Sequence, residues 1–320
     1  MIELYAACGI LAFTITFILA KVLIPKLRKA GITGKDENKE GAPEIPEMGG
    51  ISIIAGQSAG LLLAIFFSSF FAFQLNLPGL LAAIITIYII AVIGITDDLL
   101  SIPQWLKAVL PLFAAIPLVA VNAAGSTVIT VPLIGAVDFG IIYILALIPL
   151  GVAIPSNLTN MLAGFNGMEA GMGAVMFGAM TILAVSHASP EMAVMSVSML
   201  GALLAFLFFN FYPAKLFPGD VGNLSIGTVL AATVIIGNLE SAGAILAIPY
   251  VIDWFVKLYK KFPHTYQELR DGKLYPKGGK IKGLVHIVMK SFNGITERSL
   301  VLFFIGLEAL FAGIVLFLYI

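Results

Sequence analysis

Acidic, amide and lysine side chains interrupt an otherwise apolar chain at a few places, and their types and spacing point to phosphate chemistry. Asp97 and Asp98 are adjacent, with Ile93, Ile95, Leu99, Leu100 and Ile102 around them. Neighbouring carboxylates repel, and a helix C-terminus disfavours them further. A site that supplies a cation explains the pair better than a solvated helix end, because acids at membrane depth are usually functional. Lys107, ten residues after Asp97, can offset one charge. Asn157, Asn160 and Asn166 share a stretch punctuated by Gly164, Gly167 and Gly171, which predicts irregular backbone lining a cavity. Asp220 lies between Gly219 and Gly222 and is expected to cap the next helix. The glycines there let a phosphate or metal approach the backbone closely. One carboxylate oxygen with amide oxygens from the asparagine stretch suits Mg²⁺, which takes one or two protein ligands plus substrate oxygens; Mn²⁺ is the alternative ion. His264 opens the last basic stretch and is a candidate phosphate contact. Together these residues suit a magnesium-bound polyphosphate facing water beside a lipid.

The elements that must position them follow from composition. Of 320 residues, 60% are hydrophobic and 11% charged, with a mean hydropathy of +1.03, whereas a soluble domain carries about 25% charged residues. The single cysteine, Cys8, excludes a disulfide framework and a Cys-based zinc site. The chain therefore reads as an all-α integral membrane protein, a single polytopic domain over residues 1–320. With about 20 apolar residues per crossing, it predicts about ten transmembrane helices. These are expected at residues 4–24, 48–71, 78–95, 105–123, 139–154, 168–186, 192–211, 221–236, 242–258 and 300–320. In that order all 18 Lys and Arg residues fall on one side. The positive-inside rule makes that side cytoplasmic and both termini extracytoplasmic in the cell membrane. On the opposite side, the β-branched run at residues 126–131, followed by Pro132 and Gly135, predicts a small extracytoplasmic β-hairpin. Residues 257–298 form a cytoplasmic basic loop, with an amphipathic helix expected at 280–290 along the membrane surface.

Four motifs in order carry a resemblance: Pro46-Glu47-Met48-Gly49-Gly50, Asp97-Asp98, Asn157-Leu158-Thr159-Asn160 and Phe217-Pro218-Gly219-Asp220-Val221-Gly222. This set resembles the polyprenyl-phosphate N-acetylhexosamine-1-phosphate transferase superfamily, which includes the bacterial phospho-MurNAc-pentapeptide translocase. Residues 160–171 and Ile295-Thr296-Glu297-Arg298-Ser299-Leu300 are more similar to the dolichyl-phosphate GlcNAc-1-phosphate transferases of eukaryotes and archaea. The resemblance covers essentially the whole chain. It implies transfer of a sugar-1-phosphate, GlcNAc-1-phosphate first, from a UDP-sugar to polyprenyl or dolichyl phosphate, with UMP released and cytoplasmic loops forming the active site. It further implies that Asp220 and Asn160 hold Mg²⁺, that Asp97 and Asp98 lie beside it, and that Lys107 contacts the pyrophosphate. Asn166 and Phe217 would receive the uracil by hydrogen bond and stacking. Asn157 would support the loop or a phosphate, and Glu47 and Gly219 would be further substrate contacts. The loop from Pro263-His264 would close over the sugar. The implied partners are a UDP-sugar, a polyprenyl or dolichyl phosphate, membrane lipid and a second copy in a homodimer, with no nucleic acid.

The chain also departs from the family. Where bacterial members carry a histidine-rich motif and eukaryotic ones an arginine-histidine-arginine cluster, this loop keeps only His264, which leaves another UDP-N-acetylhexosamine donor open. The competing class is an ion-coupled secondary transporter. Against it stand acids at span ends rather than at the midplane and the lack of repeated halves. The enzyme reading requires Asp97, Asp98 and Asp220 to meet around one divalent ion.

Overall fold

Backbone groups in hydrocarbon are satisfied only within helices or closed barrels, and the apolar runs of this chain fold as helices. The computed structural model describes residues 1–71, 73–131, 134–262 and 267–320. Helix α1 (Ile2–Lys29) leads into an antiparallel ribbon of β1 (Thr33–Lys35) and β2 (Glu44–Pro46), then into α2 (Gly50–Phe70) and α3 (Leu77–Leu100). Two short helices, α4 (Gln104–Ala114) and α5 (Ile116–Ala120), precede a hairpin of β3 (Val128–Val131) and β4 (Gly135–Asp138). A π-helical turn at Tyr143–Leu147 runs directly into α6 (Ile148–Met161), which is followed by α7 (Met168–Ser186), α8 (Pro190–Asn210) and α9 (Gly219–Gly237). After these come α10 (Glu240–Leu246), α11 (Ile248–Tyr259), a ribbon of β5 (Gln267–Arg270) and β6 (Lys273–Pro276), α12 (Leu284–Ser291) and α13 (Glu297–Tyr319).

The protein is an all-α, multi-pass integral membrane protein. Among the described residues, eight helices are long and apolar enough to cross a bilayer, with the π-turn and α6 counted as one. Helices α10 and α11 make a ninth if taken as one span, bent by 59°. The segment expected to cross at 105–123 is the apolar pair α4–α5, which leads from the site end of the bundle to the β3–β4 end but is shorter than the eight, and Pro111 and Pro117, lacking N–H groups, weaken it as a continuous helix. The hairpin expected near residue 126 is present as β3–β4, and Pro132 lies outside the described residues.

Other expectations are corrected. The asparagine stretch is largely helical: α6 runs to Met161, so Asn157 and Asn160 stand on its last turns, and only 162–167 is irregular. The 257–298 region contains the β5–β6 ribbon as well as a helix. That helix begins at Leu284, after Lys280 and Lys282, and buries Val285, His286, Val288 and Met289. It therefore packs on the protein rather than lying free along a surface.

Helix α9 is the axle of the bundle, buried along nearly its whole length against α2, α3, α6 and α8. The α3–α9 crossing is close because Gly94 has no side chain; a Cβ there would lie 2.5 Å from the Val221 Cα. That approach delivers the C-terminus of α3 to the N-terminus of α9. At the same end of the bundle, Asn166 meets Glu297 at the start of α13, and Thr159 of α6 donates to the Asn223 carbonyl at 2.7 Å. At the opposite end, Glu191 accepts from the Asn76 N–H at 2.6 Å, Tyr143 pairs with Glu240, and Ser241 ties Tyr319 to the β3 carbonyl of Thr130.

Candidate active site

The ends of α3, α6 and α9, with α4 and the loops beside them, build the site. The segment after β2 and the segment before α9 are clasped by backbone hydrogen bonds. The Phe217 N–H donates to the Pro46 carbonyl, Gly49 to Phe217 and Gly50 to Pro218, each at 2.8 Å. This clasp sets Glu47 and Phe217 beside Gly34, where an added Cβ would lie 2.9 Å from Glu47 Oε2 and 3.5 Å from the Phe217 ring. Burial, and after it the nearby charge of Asp98, holds the Glu47 carboxyl above the usual carboxylate range.

At the α3–α9 junction the two adjacent aspartates are divided in role. Asp98 accepts from the Asp220 N–H at 2.8 Å and the Val221 N–H at 3.3 Å, satisfying orphan donors at the start of α9. Gly219 permits this: its φ is +66°, and a Cβ on it would lie 2.6 Å from Asp98 Oδ2. The residue at the helix cap is Pro218, so Asp220 is not the expected N-cap; it occupies the first turn and aims its carboxylate elsewhere. Asp97 accepts from the Ile102 N–H at 2.9 Å and from the Lys107 ammonium at 2.6 Å. The same ammonium is also paired with Asp220. The Asn160 carboxamide lies within 2.9 Å of both Asp220 Oδ1 and Lys107 Nζ. With its nitrogen turned to the carboxylate and its oxygen to the ammonium, both contacts become hydrogen bonds.

The three acids expected around one divalent ion are neighbours at this junction. Asp97 and Asp220 share Lys107, while the oxygens of Asp98 are taken by backbone N–H groups. Among the described residues no three His, Cys, Asp or Glu side chains converge to enclose a metal. With the Asn160 carboxamide turned the other way, its oxygen toward Asp220 in place of the hydrogen bond to Lys107, the pair would be a fitting donor set for Mg²⁺, two hard oxygens that leave room for water and substrate oxygens.

Lys107, Asn160 and Asp220 line a cavity of about 1380 Å³, whereas Asp97 and Asp98 are not among its lining residues; the rest of the lining is of two contrasting kinds, a polar and an apolar wing. The polar wing holds Asp36, Asn38, Glu47, Asn166, Phe217 and Gln267; the apolar wing holds Trp105, Leu112, Leu150, Ile154, Trp254 and Phe255 from α4, α6 and α11. Trp105, Leu150, Ile154 and Phe255 are exposed, so the apolar wing opens toward hydrocarbon. Gly219 and Asn157 line the same cavity. Asn157 donates to the Ala153 carbonyl at 2.8 Å. His264 lies outside the described residues.

Several site residues had no clear sequence signal. Lys257 faces the cavity from α11, paired with Asp253 at 2.7 Å and donating to the Met161 carbonyl at the end of α6. Its spacing of four residues from Asp253 in an apolar helix was the available clue. Asp36, Asn38, Lys39 and Glu297 form a buried network around Asn166, although in sequence they resemble a solvated charged loop and a helix start. Glu169 accepts from the Gly164 N–H at 2.5 Å and steadies the 162–167 loop.

This polytopic helical bundle holds an ammonium, carboxylates and carboxamides in a cavity that also opens toward hydrocarbon, an arrangement suited to an integral-membrane enzyme handling phosphate beside lipid. Residues 80–238 match the family described as glycosyl transferase family 4. A protein of Saccharolobus solfataricus, provisionally named a UDP-N-acetylglucosamine–dolichyl-phosphate N-acetylglucosaminephosphotransferase, is 38% identical over 97% of this chain and 95% of its own length. The phospho-N-acetylmuramoyl-pentapeptide-transferase of Halalkalibacterium halodurans is 34% identical over 76% of this chain and 78% of its own. The UDP-N-acetylglucosamine–dolichyl-phosphate N-acetylglucosaminephosphotransferase of Dictyostelium discoideum is 27% identical over 92% and 84% respectively. The chain belongs to the polyprenyl-phosphate N-acetylhexosamine-1-phosphate transferase superfamily, and the transporter alternative is set aside.

Proposed function

We propose that this protein transfers GlcNAc-1-phosphate from UDP-GlcNAc to a polyprenyl or dolichyl phosphate, leaving lipid-diphospho-GlcNAc in the membrane and releasing UMP. The observation that carries the reading is the cavity itself: its lining combines polar side chains, the Lys107, Asp220 and Asn160 cluster with Asp97 paired to Lys107, and apolar side chains open toward hydrocarbon. A lipid-phosphate oxygen attacks the β-phosphorus of the donor, and the bond from that phosphorus to the oxygen bridging the two phosphates breaks. One P–O bond forms and one is lost, so positioning and charge neutralisation carry the catalysis.

In this proposal the exposed apolar side chains of α4, α6 and α11 receive the acceptor's hydrocarbon chain, and the Phe217 and Asn166 side chains receive the uracil. Lys107, oriented by Asp97, pairs with phosphate oxygens. Asp98 acts on the backbone, holding the first turn of α9 so that Asp220 keeps its place. Asp220 and Asn160 would hold Mg²⁺, which supplies charge neutralisation at the transferring phosphate when bound. Asp220 also takes the Lys107 ammonium, so metal and lysine compete for one carboxylate. We further infer that the site faces the cytosol and both termini the outside. In support, Lys26, Arg28, Lys29, Lys107, Lys215 and Lys257 gather at the site end of the bundle, while Asp138, Glu191 and Glu240 lie at the other end.

The test is turnover by purified protein with dolichyl phosphate and a panel of labelled UDP-sugars, with and without Mg²⁺. The proposal expects labelled lipid from UDP-GlcNAc, loss of product on chelation, and a fall of about a hundredfold or more in rate for Asp220→Asn. Wild-type-like, Mg²⁺-dependent turnover by Asp220→Asn would refute the ligand assignment.

A further inference from the structure

Asn166 is held from two directions before any ligand arrives. Its backbone N–H donates to Glu297 Oε1 at 2.9 Å, and its side-chain Nδ2 donates to Asp36 Oδ2 at 3.0 Å. Asp36 and Asn166 are each 2% exposed. Asp36 is itself fixed, because the Lys39 ammonium pairs with it and the Asn38 N–H donates to Oδ1 at 3.3 Å. Lys39 in turn reaches Glu297 at 3.2 Å. A carboxylate can only accept hydrogen bonds, so the amide nitrogen of Asn166 must face Asp36. Asn166 lines the same cavity as Glu47 and Phe217, and with one Nδ2 hydrogen given to Asp36 the amide cannot turn over, so its Oδ1 stays in place as an acceptor.

We propose that Asp36 is a specificity-determining positioning residue: it locks the Asn166 carboxamide with its oxygen toward the cavity, so that the site accepts a pyrimidine with an imide N–H and rejects one with a lone pair there. Uracil carries hydrogen on N3, and cytosine carries a lone pair on N3. The inference rests on the reading of the polar wing as the nucleotide site and names what enforces its base choice. A site with a fixed acceptor discriminates strongly, because the mismatched base leaves a buried polar group unpaired. Without the lock, the amide turns over and either base finds a partner.

The experiment measures UMP and CMP affinities calorimetrically on the purified full chain with Mg²⁺, for wild type, Asp36→Asn and the exchange variant Asp36→Asn/Asn166→Asp. In the exchange variant the new amide at 36 donates to the new carboxylate at 166, which keeps an acceptor facing the base. Wild type is expected to prefer UMP by about a hundredfold. Asp36→Asn is expected to narrow that preference by about tenfold or more, chiefly through tighter CMP binding, and the exchange to restore it. A merely structural role would weaken both nucleotides equally. A wild-type UMP-to-CMP ratio in folded Asp36→Asn, or a folded exchange variant that does not discriminate, overturns the inference. Should Asp36→Asn fail to fold, the exchange variant decides alone, since it retains the hydrogen bond. A wild-type protein that binds neither nucleotide overturns the donor-site reading beneath it instead.

Discussion

Lys107 shows how a single residue sets the character of this site. Its ammonium is nearly buried and pairs with two carboxylates from different helices, offsetting one of the two charges. Removing one partner of such a group strands the others, which costs about 3–5 kcal/mol where burial is full and less toward solvent. Lys107→Met is therefore expected to lower the thermal midpoint by several degrees, and adding Asp97→Asn to recover part of the loss. Mg²⁺ is expected to raise the midpoint of Lys107→Met more than that of wild type, because the ion then meets Asp220 without a competitor; equal shifts would contradict the shared-carboxylate reading. Glu47 gives a pH test. Its folded-state pKa is raised, so the folded protein holds that proton more tightly than the unfolded chain, and stability is lost as pH rises through the interval above about 4.5. Thermal scans should find Glu47→Gln gaining on wild type across that interval, and a constant difference would count against the assignment. Asp97, Asp98, Lys107 and Asp220 were legible in sequence because charge in an apolar chain needs a reason. The use of Asp98 to cap α9 was not, since the partners are N–H groups more than a hundred residues away.

At the scale of elements, the site depends on helices brought unusually close. A Cβ at Gly94 would overlap α9, so Gly94→Ala is expected to destabilise by about 1–3 kcal/mol and to depress turnover together with stability. Gly306→Ala in α13, where nothing lies within 4 Å of the added carbon, is expected to be neutral or mildly stabilising in the same melts. Equal effects at the two glycines would contradict the crossing argument. The long apolar helices and the β3–β4 hairpin could be read from pattern alone. The β5–β6 ribbon could have been, since Asp271-Gly272 is a strong two-residue hairpin signal and both residues have positive φ. The extension of α6 to Met161 could not, because its asparagines and Pro155 disfavour helix locally and tertiary packing overrides them. The bend between α10 and α11, next to Pro249, likewise left no mark on hydropathy.

For the whole molecule, the lysines and arginines gathered at one end and the β3–β4 hairpin with Asp138, Glu191 and Glu240 at the other make orientation testable. In sealed right-side-out vesicles and a Cys8→Ser background, Ser126→Cys is expected to react with an impermeant maleimide. Lys280→Cys should react only after permeabilisation, and the reverse pattern would invert the assignment. The cavity joins that charged end to the hydrocarbon, and the account's central claim is that a phosphorus atom moves across this junction with its sugar. The most direct measurement is incubation of purified protein with dolichyl phosphate and UDP-GlcNAc carrying radioactive phosphorus at the β position. The account predicts that the label enters the lipid and that the nucleotide leaves as unlabelled UMP. Label released in water-soluble UDP, with none in the lipid, would contradict it.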